Sequence, residues 1–318
     1  MRLICLLVIL FSLPACAQEK PDFNKWVAQV KQQALANGIS QSVIDNAFEN
    51  VEAPAEDIVE LDHKQPEKTR SFSDYLNGAL SDKNISAAKD KWHDNRALLR
   101  KVEAKYHVQP KILLALWCIE SRFGERQGDF SIIQSLSTLA YDGRRSQFFM
   151  GELMNALKIM QDENIASADL TGSWAGAMGQ TQFMPSSFLK FAVDFDGDGK
   201  KDIWNSDADA LASMANYLHS KGWNHNEGWG VEVELPDGDT NWREVKGDKP
   251  LKEWRKLGLK REDGRKLPNT ELMAHLIMPD DDEPLAYLAF PNYNILMDWN
   301  RSTYFATSIG LLADEIAK

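Results

Sequence analysis

Along most of the chain, apolar residues recur at intervals of three and four positions, which is the period of an amphipathic helix. Segments with this spacing are predicted to be helical: 20–51, 72–108, 146–163 and 207–221. Within the first of them, Asn37–Ser40 predicts that one helix stops and another begins. Residues 52–70 are polar and contain Pro54 and Pro66, so a loop is predicted there.

The pattern changes at residue 222, where apolar and polar residues begin to alternate around glycine and Asp-Gly turns. Alternation is the period of a strand, and it continues to about residue 290. A short helical piece is predicted near 251–258, and helical spacing resumes over 302–318. These patterns predict a mainly α-helical protein that carries a small β-rich insertion.

The most apolar of the predicted helices ends in a carboxylate. Eight apolar residues run without interruption over Ile112–Ile119, and Glu120 follows them. A helix that is apolar on all sides belongs in the core, and the nearby Trp117 and Phe123 would keep water from the carboxyl group. Loss of hydration raises a carboxyl pKa, which suits a general acid that protonates the leaving oxygen of a glycosidic bond. The alternative is a solvated helix end or an ion pair with Arg122.

A glycine-rich stretch over 173–188 is the second candidate for chemistry. Gly176 and Gly179 allow the backbone to approach a ligand closely. Gln182, beside Phe183, offers amide groups that suit sugar hydroxyl and acetamido groups. The stretch is therefore interpreted as a cleft wall, with Gln182 and Phe183 as candidate substrate-binding residues. The simpler interpretation is a glycine turn before a helix. No lysine follows the glycines, which excludes a phosphate loop of the Walker type.

Acidic residues over 194–209 have the spacing of a calcium-binding loop. The predicted ligands are Asp194, Asp196, Asp198, the Lys200 carbonyl, Asp202 and Asp209. Asn205 occupies the twelfth position in place of the usual glutamate, so Asp209 is the preferred closing ligand and Asp207 the second choice. The alternative is a solvated acidic turn, but these carboxylates would repel one another without a cation. One structural Ca²⁺ is therefore predicted, and no cofactor for catalysis.

Aromatic residues gather over 296–306, where Trp299, Tyr304 and Phe305 lie close together in the sequence. Aromatic rings in a cleft stack on the faces of sugars. Ordinary core packing accounts for each of these residues equally well, so both interpretations stay open at this point.

Composition and charge restrict the class of partner. The chain has 318 residues, 43% of them hydrophobic, which is typical of a globular protein with a substantial core. Its formal net charge is −11, whereas a protein that binds nucleic acid needs clustered lysine and arginine. No nucleic-acid partner is therefore predicted.

Residues 1–17 predict export, because a basic residue, an apolar stretch and an Ala-Cys-Ala site follow one another as in a secretory signal peptide. A periplasmic location is the first expectation. The alternative is that Cys16 belongs to a bacterial lipobox, which would make the protein an outer-membrane lipoprotein. Cys5 leaves with the signal in either case, so Cys118 has no disulfide partner and is interpreted as a small core residue.

Several motifs then occur in a specific order along the chain. They are ESRFG at 120–124, DGRRSQFF at 142–149, GELMNAL at 151–157, GSWAGAMGQTQFMPSSF at 172–188, the aspartate loop, ALASMANYL at 210–218 and WNRSTYFA at 299–306. Together they resemble the lytic murein transglycosylase B family, also called the family 3 lytic transglycosylases. The resemblance covers nearly the whole chain that would follow the signal peptide.

This resemblance implies a lysozyme-like helical core with an additional α region and a small β-rich insertion. The implied segments are a signal peptide at 1–17, an N-terminal α region at 18–70, a catalytic core at 71–222 with the calcium loop, the insertion at 223–290 and a C-terminal helix at 291–318 that completes the core. A monomer that acts on peptidoglycan glycan strands is expected.

The resemblance also implies an activity, which is cleavage of the β-1,4 bond between N-acetylmuramic acid and N-acetylglucosamine without water. Glu120 matches the single acid/base, the substrate's own 2-acetamido group replaces a second carboxylate, and the product is a 1,6-anhydromuramic acid end. Rival predictions are a lysozyme-like muramidase, which is a hydrolase, and a non-catalytic protein that binds peptidoglycan.

The residues that match cleft positions of the family are Ser173, Gln182, Tyr217 and, on a weaker alignment, Tyr75. Trp299 and Phe305 stand where members of the family commonly carry tyrosines. Stacking on a sugar is therefore expected from these two residues, and a direct hydroxyl contact is not.

Overall fold

The computed structural model describes residues 22–64, 71–281 and 284–318. The predicted signal peptide at 1–17, with Cys16, lies outside the described residues. Within these ranges, no helix combines the length and the apolar character that a membrane span requires. The predicted segment boundaries stay predictions.

Helices account for most of the elements in the described ranges. They are α1 (Phe23–Ala36), α2 (Gln41–Ala47), α3 (Glu56–Lys64), α4 (Phe72–Ala79), α5 (Asp82–Asp94), α6 (Arg96–Tyr106), α7 (Pro110–Ser121), α8 (Ile132–Asp142), α9 (Ser146–Asp162), α10 (Pro185–Phe191), α11 (Asp207–Ser220), α12 (Leu251–Lys256), α13 (Pro291–Trp299) and α14 (Thr303–Ile316). The strands are β1 (Phe130–Ser131), β2 (Thr171–Gly172), β3 (Gly230–Glu234), β4 (Lys249–Pro250), β5 (Lys260–Arg261), β6 (Met273–Ile277) and β7 (Tyr287–Ala289), and a short 3₁₀ helix covers Trp242–Glu244. The predicted fold class, mainly α-helical with a small β-rich insertion, is confirmed.

The loop predicted over 52–70 is wrong in its middle, because α3 occupies Glu56–Lys64. This helix has few apolar residues, so its hydrophobic periodicity is weak, but its own Ile58 side chain is buried. Two acidic residues in its first turn and two basic residues in its last turn complement the helix dipole. Charge placement and one buried contact therefore form a helix where the polarity of the segment predicted a loop.

Helix α7 runs through the centre of the helical core. Ile112–Cys118 are all buried, as expected for a helix that is apolar on every side. Helix α14 packs along α7, and α5, α6 and α11 also contact it. Both ends of α7 reach the edge of the core, and Glu120 lies at the C-terminal end. Cys118 is a free, buried cysteine, and burial raises the pKa of its thiol to about 11, which agrees with a packing role.

The β-rich insertion forms a five-stranded antiparallel sheet in the order β4-β6-β7-β3-β5. Its own apolar cluster forms around Trp254 and Leu288, which are buried. The sheet docks on α14 through Trp229, whose indole N–H donates to Asp314 Oδ2 at 3.0 Å. A Cβ atom at Gly310 would lie 2.1 Å from the Trp229 ring, so glycine is required for this close approach. The insertion is thereby packed directly against a helix of the core.

Candidate active site

Helix α7 ends one residue after Glu120 in a turn of three left-handed residues. Arg122, Phe123 and Gly124 have φ angles of 50°, 59° and 86°, and this conformation costs free energy for the two residues that are not glycine. The Ser121 hydroxyl stabilises the turn, because it donates to a carbonyl of the glycine-rich stretch at 2.7 Å and accepts the Gly124 N–H at 3.0 Å. The turn fixes where the helix stops and therefore where the Glu120 side chain points.

The Glu120 carboxyl group is half-buried and lies against an aromatic ring. Its Oε1 accepts a hydrogen bond from the Trp299 indole N–H at 2.5 Å. Burial raises the pKa of Glu120 to about 8, and the Trp299 hydrogen bond opposes part of this rise because it favours the charged form. In the described chain, Glu120 forms no ion pair with Arg122, whose guanidinium donates to Asn84 at 3.3 Å. At neutral pH the carboxyl group is therefore mostly protonated and able to donate.

Three aromatic rings form one cluster next to this carboxyl group. The Trp299 ring lies 4.7 Å from the Tyr217 ring and 5.2 Å from the Phe183 ring, measured between centroids. Tyr217 is buried, and its hydroxyl donates to the Asp298 carbonyl at 2.9 Å. The Tyr217 and Phe183 rings hold the Trp299 ring in place by packing against it. Trp299 can therefore keep its hydrogen bond to Glu120 and also offer a ring face to a ligand.

Tyr75 approaches the same carboxyl group from α4. Burial raises the pKa of Tyr75 to about 12, and the charge of Glu120 contributes to the rise. The two side chains therefore lie within electrostatic reach of each other. A phenol that stays protonated can donate a hydrogen bond to a sugar oxygen, which is consistent with the predicted cleft position.

The glycine-rich stretch forms a folded loop in which Ser173 and Gln182 both bond inward. The Ser173 hydroxyl accepts the Ala177 N–H at 3.0 Å. The Gln182 amide nitrogen donates to the carbonyls of Gly179 at 2.8 Å and Gln127 at 3.1 Å, and Gln182 itself is left-handed with φ of 50°. These two side chains therefore shape the loop, which agrees with a cleft wall built largely from backbone.

Two aromatic residues predicted to contact sugar lie in the core instead. Phe305 is 4% exposed and Phe183 is 3% exposed. Stacking needs an open ring face, and these positions do not provide one. We therefore assign Phe305 to packing at the start of α14 and Phe183 to the support of Trp299.

Gln180 is a supporting residue that the sequence analysis missed. Its side chain is buried, and its Oε1 accepts the Trp117 indole N–H at 2.7 Å. Its amide nitrogen donates to the Trp204 carbonyl at 3.2 Å. Gln180 thus connects α7 to the segment that precedes α11. The available signal was a glutamine within an otherwise apolar and glycine-rich stretch, which implies a buried polar group that needs partners.

The aspartate loop brings three of its predicted ligands together. Carboxylate oxygens of Asp194, Asp196 and Asp209 lie within 4.8 Å of one another, and Asp209 is fully buried. None of the three forms a salt bridge with a lysine or arginine in the described part of the chain. Converging carboxylates without a cationic side chain fit a bound divalent ion, for which oxygen ligands are preferred.

The other predicted ligands of the loop lie outside this converging group of three carboxylates. Asp198 accepts the Lys200 N–H at 2.9 Å, and Asp202 accepts the Trp204 and Asn205 N–H groups, each at 2.9 Å. The geometry therefore supports Asp209 as the closing ligand, while the ligand role of Asp198, Lys200 and Asp202 stays a prediction.

This arrangement offers one carboxyl group that is removed from water and hydrogen-bonded to an indole. Burial raises its pKa, the Trp299 hydrogen bond opposes part of the rise, and among the described residues no second carboxylate is a cause of the rise. Glycosidases that use two carboxylates need the second within about 5–9.5 Å of the first. The site is suited to donating a proton to a bound sugar and to taking one back, with other groups supplied by the substrate.

A family model described as "Transglycosylase SLT domain" matches residues 22–314. Membrane-bound lytic murein transglycosylase B of Escherichia coli is 32% identical over 233 residues, which are 71% of this chain and 62% of that protein. The match therefore spans less than two thirds of the length of this curated relative.

Solved structures are similar over more than nine tenths of this chain. SltB3 from Pseudomonas aeruginosa, in complex with NAG-NAM-pentapeptide, is 40% identical with a TM-score of 0.89, and the match covers 93% of this chain and 80% of that one. A complex of SltB3 with NAG-anhNAM-pentapeptide is 41% identical, with the same TM-score and coverage. Lytic transglycosylase Slt35 of Escherichia coli, in complex with calcium, is 25% identical with a TM-score of 0.77, over 94% of this chain and 93% of that one.

Proposed function

Because the chain belongs to the transglycosylase SLT domain family, we propose that it is a peptidoglycan lytic transglycosylase. The bond cleaved is the β-1,4 bond between N-acetylmuramic acid and N-acetylglucosamine. The observation that carries this proposal is Glu120, a half-buried carboxyl group with a pKa of about 8 that is oriented by Trp299. The complexes of the similar SltB3 with NAG-NAM-pentapeptide and NAG-anhNAM-pentapeptide support the substrate class.

In the first step, protonated Glu120 donates its proton to the glycosidic oxygen. The bond between C1 of the muramic acid residue and that oxygen breaks, and the N-acetylglucosamine side leaves as an alcohol. Positive charge that develops at C1 is stabilised by the substrate's own 2-acetamido oxygen. This assistance takes the place of the second carboxylate that other glycosidases use.

In the second step, the C6 hydroxyl of the same muramic acid attacks C1 and displaces the acetamido oxygen. Glu120, now ionised, accepts the C6 hydroxyl proton and returns to its starting state. The product is a 1,6-anhydro ring, and no water is consumed. A hydroxyl held beside its target reacts much faster than a free one, which assigns the cleft walls at Tyr75 and Trp299 to orienting the sugar.

The same proposal includes one Ca²⁺ held by Asp194, Asp196 and Asp209. A bound ion would neutralise their charges and hold the loop against the start of α11. The complex of the similar Slt35 with calcium supports this choice of metal.

The proposed partner is the peptidoglycan glycan strand, which places the activity in the cell envelope. The predicted signal peptide would deliver the protein to the periplasm. A lipid on Cys16 would instead attach it to the outer membrane.

Mass spectrometry of muropeptides released from purified peptidoglycan tests the proposed function. Wild-type protein is expected to release products that end in 1,6-anhydromuramic acid. Products heavier by one water would make the protein a muramidase and overturn the lyase step. Binding to sedimented peptidoglycan without release of any product would make it a binding protein.

The pH dependence of kcat/KM is expected to fall on the alkaline side at about pH 8. The first step needs the protonated carboxyl group, and Glu120 loses its proton as the pH rises through its raised pKa. Above that pH, kcat/KM should decrease about tenfold for each pH unit. A decrease that begins near the ordinary glutamate pKa of 4.5 would show that the pKa of the essential acid is not raised, and would contradict this prediction.

Replacing Trp299 by phenylalanine is expected to lower kcat about tenfold or more, since general acid catalysis depends on the orientation of the donor. The alkaline limb should also move to higher pH, because the lost N–H bond favoured ionised Glu120. Trp299→Tyr keeps a hydroxyl donor and should retain more activity than Trp299→Phe. Equal activity of the two variants at every pH would contradict a hydrogen-bonding role.

A further inference from the structure

A carboxylate of the β-rich insertion reaches the helix that carries Tyr75. Asp280 lies shortly after β6, and its Oδ2 accepts the Phe72 N–H at 2.9 Å and the Tyr304 hydroxyl at 2.8 Å. Phe72 is the first residue of α4, and Tyr304 lies in the first turn of α14. A single oxygen therefore ties the starts of two core helices together. Hydrogen bonds that a carboxylate accepts are as a class stronger than bonds between neutral groups.

Asp280 is itself held by another segment of the insertion. Arg243, in the 3₁₀ helix, donates to the carbonyls of Asp280 and Asp281, each at 2.8 Å. It also donates to the Asp281 carboxylate at 2.8 Å. A planar guanidinium that binds three oxygens fixes the orientation of the peptide between them. The Asp280 carboxylate is therefore aimed at α4 by the fold of the insertion.

The contact extends along α4 to the catalytic carboxyl group. The rings of Phe72 and Tyr75 lie 5.2 Å and 6.0 Å from the Tyr304 ring. Positions three apart share one face of a helix, so this face of α4 packs on Tyr304 and presents Tyr75 towards Glu120. Loss of the bonds at the helix start would allow α4 to shift on α14, and the Tyr75 hydroxyl would move with it.

We propose that Asp280 is a positioning residue for the reaction: it holds α4 on α14 and thereby sets the placement of Tyr75 relative to Glu120. The β-rich insertion then completes the cleft and is not merely a separate module attached to the core. This inference rests on the proposed function, since Tyr75 and Glu120 are taken to act on one sugar.

A double-mutant cycle between Asp280→Asn and Tyr75→Phe tests the proposal. Small misplacements of groups around a reacting centre cost up to about 100-fold in rate, and each single variant is expected to lower kcat/KM about tenfold or more. The kcat/KM of the double variant is expected to lie within about threefold of that of the less active single variant. The effects of residues that act through one another are not additive. Multiplied effects in the double variant would overturn the proposal, as would an Asp280→Asn protein with unchanged kcat/KM.

Tyr304→Phe is the second variant, because it keeps the edge-to-face ring contacts with Phe72 and Tyr75 and removes one donor to the same Asp280 oxygen. Tyr304→Phe should lower kcat/KM, as Asp280→Asn does. In a protein that already carries Tyr75→Phe, the Tyr304→Phe substitution should have little further effect. If Asp280→Asn does not fold, the Tyr304→Phe cycle decides the question alone. Asp239→Asn is the matched control: this exposed residue of the insertion also loses one carboxylate, and wild-type kcat/KM is expected.

Wild-type turnover separates this proposal from the proposed function. If wild-type protein releases no product, the lytic function fails, and the cycle is then measured as affinity for a GlcNAc-MurNAc fragment by calorimetry in the Glu120→Gln background. Non-additive losses of affinity would still support Asp280 as a positioning residue. If wild-type protein is active and the cycle is multiplicative, only the role of Asp280 fails.

Discussion

Replacing Glu120 by glutamine is expected to lower kcat by about 10³-fold or more. General acid catalysis usually contributes about 10²–10⁴-fold to the rate. Glutamine has nearly the same shape and can still meet Trp299, but it has no proton to donate to the leaving oxygen. Affinity for glycan should remain close to that of wild type, since the walls of the cleft are unchanged. The measurement is kcat on purified peptidoglycan, together with sedimentation of the variant with the same material.

Thermal unfolding of Glu120→Gln serves as the control for folding. The folded-state pKa of Glu120 is raised above its unfolded value of 4.5, so ionisation in the folded protein costs stability progressively as the pH rises from about 4.5 to 8. Glutamine avoids this cost, and the variant should be more stable than wild type at pH 8 and above by about 1–2 kcal/mol. A folded Glu120→Gln variant with activity close to that of wild type would contradict the assignment of Glu120.

Removal of calcium is expected to lower Tm by about 6 °C. An ion that binds only the folded state at about 1,000 times its Kd stabilises by about 4 kcal/mol, and about 1 kcal/mol corresponds to about 1.5 °C in a chain of 318 residues. Without the ion, the carboxylates of Asp194, Asp196 and Asp209 repel one another at close range. The measurement is differential scanning calorimetry of two samples, one with about 1 mM CaCl₂ and one with about 1 mM EGTA.

Two aspartate variants on the same helix localise this effect. Asp209→Asn should have a low Tm that no longer responds to Ca²⁺, because the buried closing ligand is lost. Asp207→Asn should keep the Ca²⁺ response, since Asp207 lies outside the converging group and accepts a bond from Gln180 at 3.3 Å. A Tm of wild type that ignores Ca²⁺, or a Ca²⁺ response that survives Asp209→Asn, would sink the proposed metal site.

The elements that the sequence predicted well are those whose signals are local. Uninterrupted apolar residues over Ile112–Ile119 predicted the buried α7, and strand alternation after residue 222 predicted the β-rich insertion. The spacing of the acidic residues pointed to Asp209 beyond the usual loop. Helix α3 was missed because its stability depends on the placement of charges and on Ile58, which is buried only in the folded chain.

The contacts of the candidate site could not be predicted in the same way. The sequence identified Trp299 as a stacking residue, whereas its indole donates to Glu120, 179 positions away along the chain. It also assigned Phe305 to the cleft, although the ring is buried at the start of α14. An aromatic residue in the core and one in a cleft have the same local pattern, so only packing distinguishes them.

By itself, the sequence determined the helical class, the insertion, the acid at the end of α7 and the acidic loop, because periodicity, turn residues and ligand spacing are encoded over short stretches. Tertiary structure alone decided which groups meet Glu120 and how the insertion reaches the cleft. Asp280 and Phe72 are 208 positions apart, and no short-range pattern records a hydrogen bond over that separation. The pKa of Glu120 belongs to the same category, because burial and the Trp299 hydrogen bond arise only when distant segments pack together.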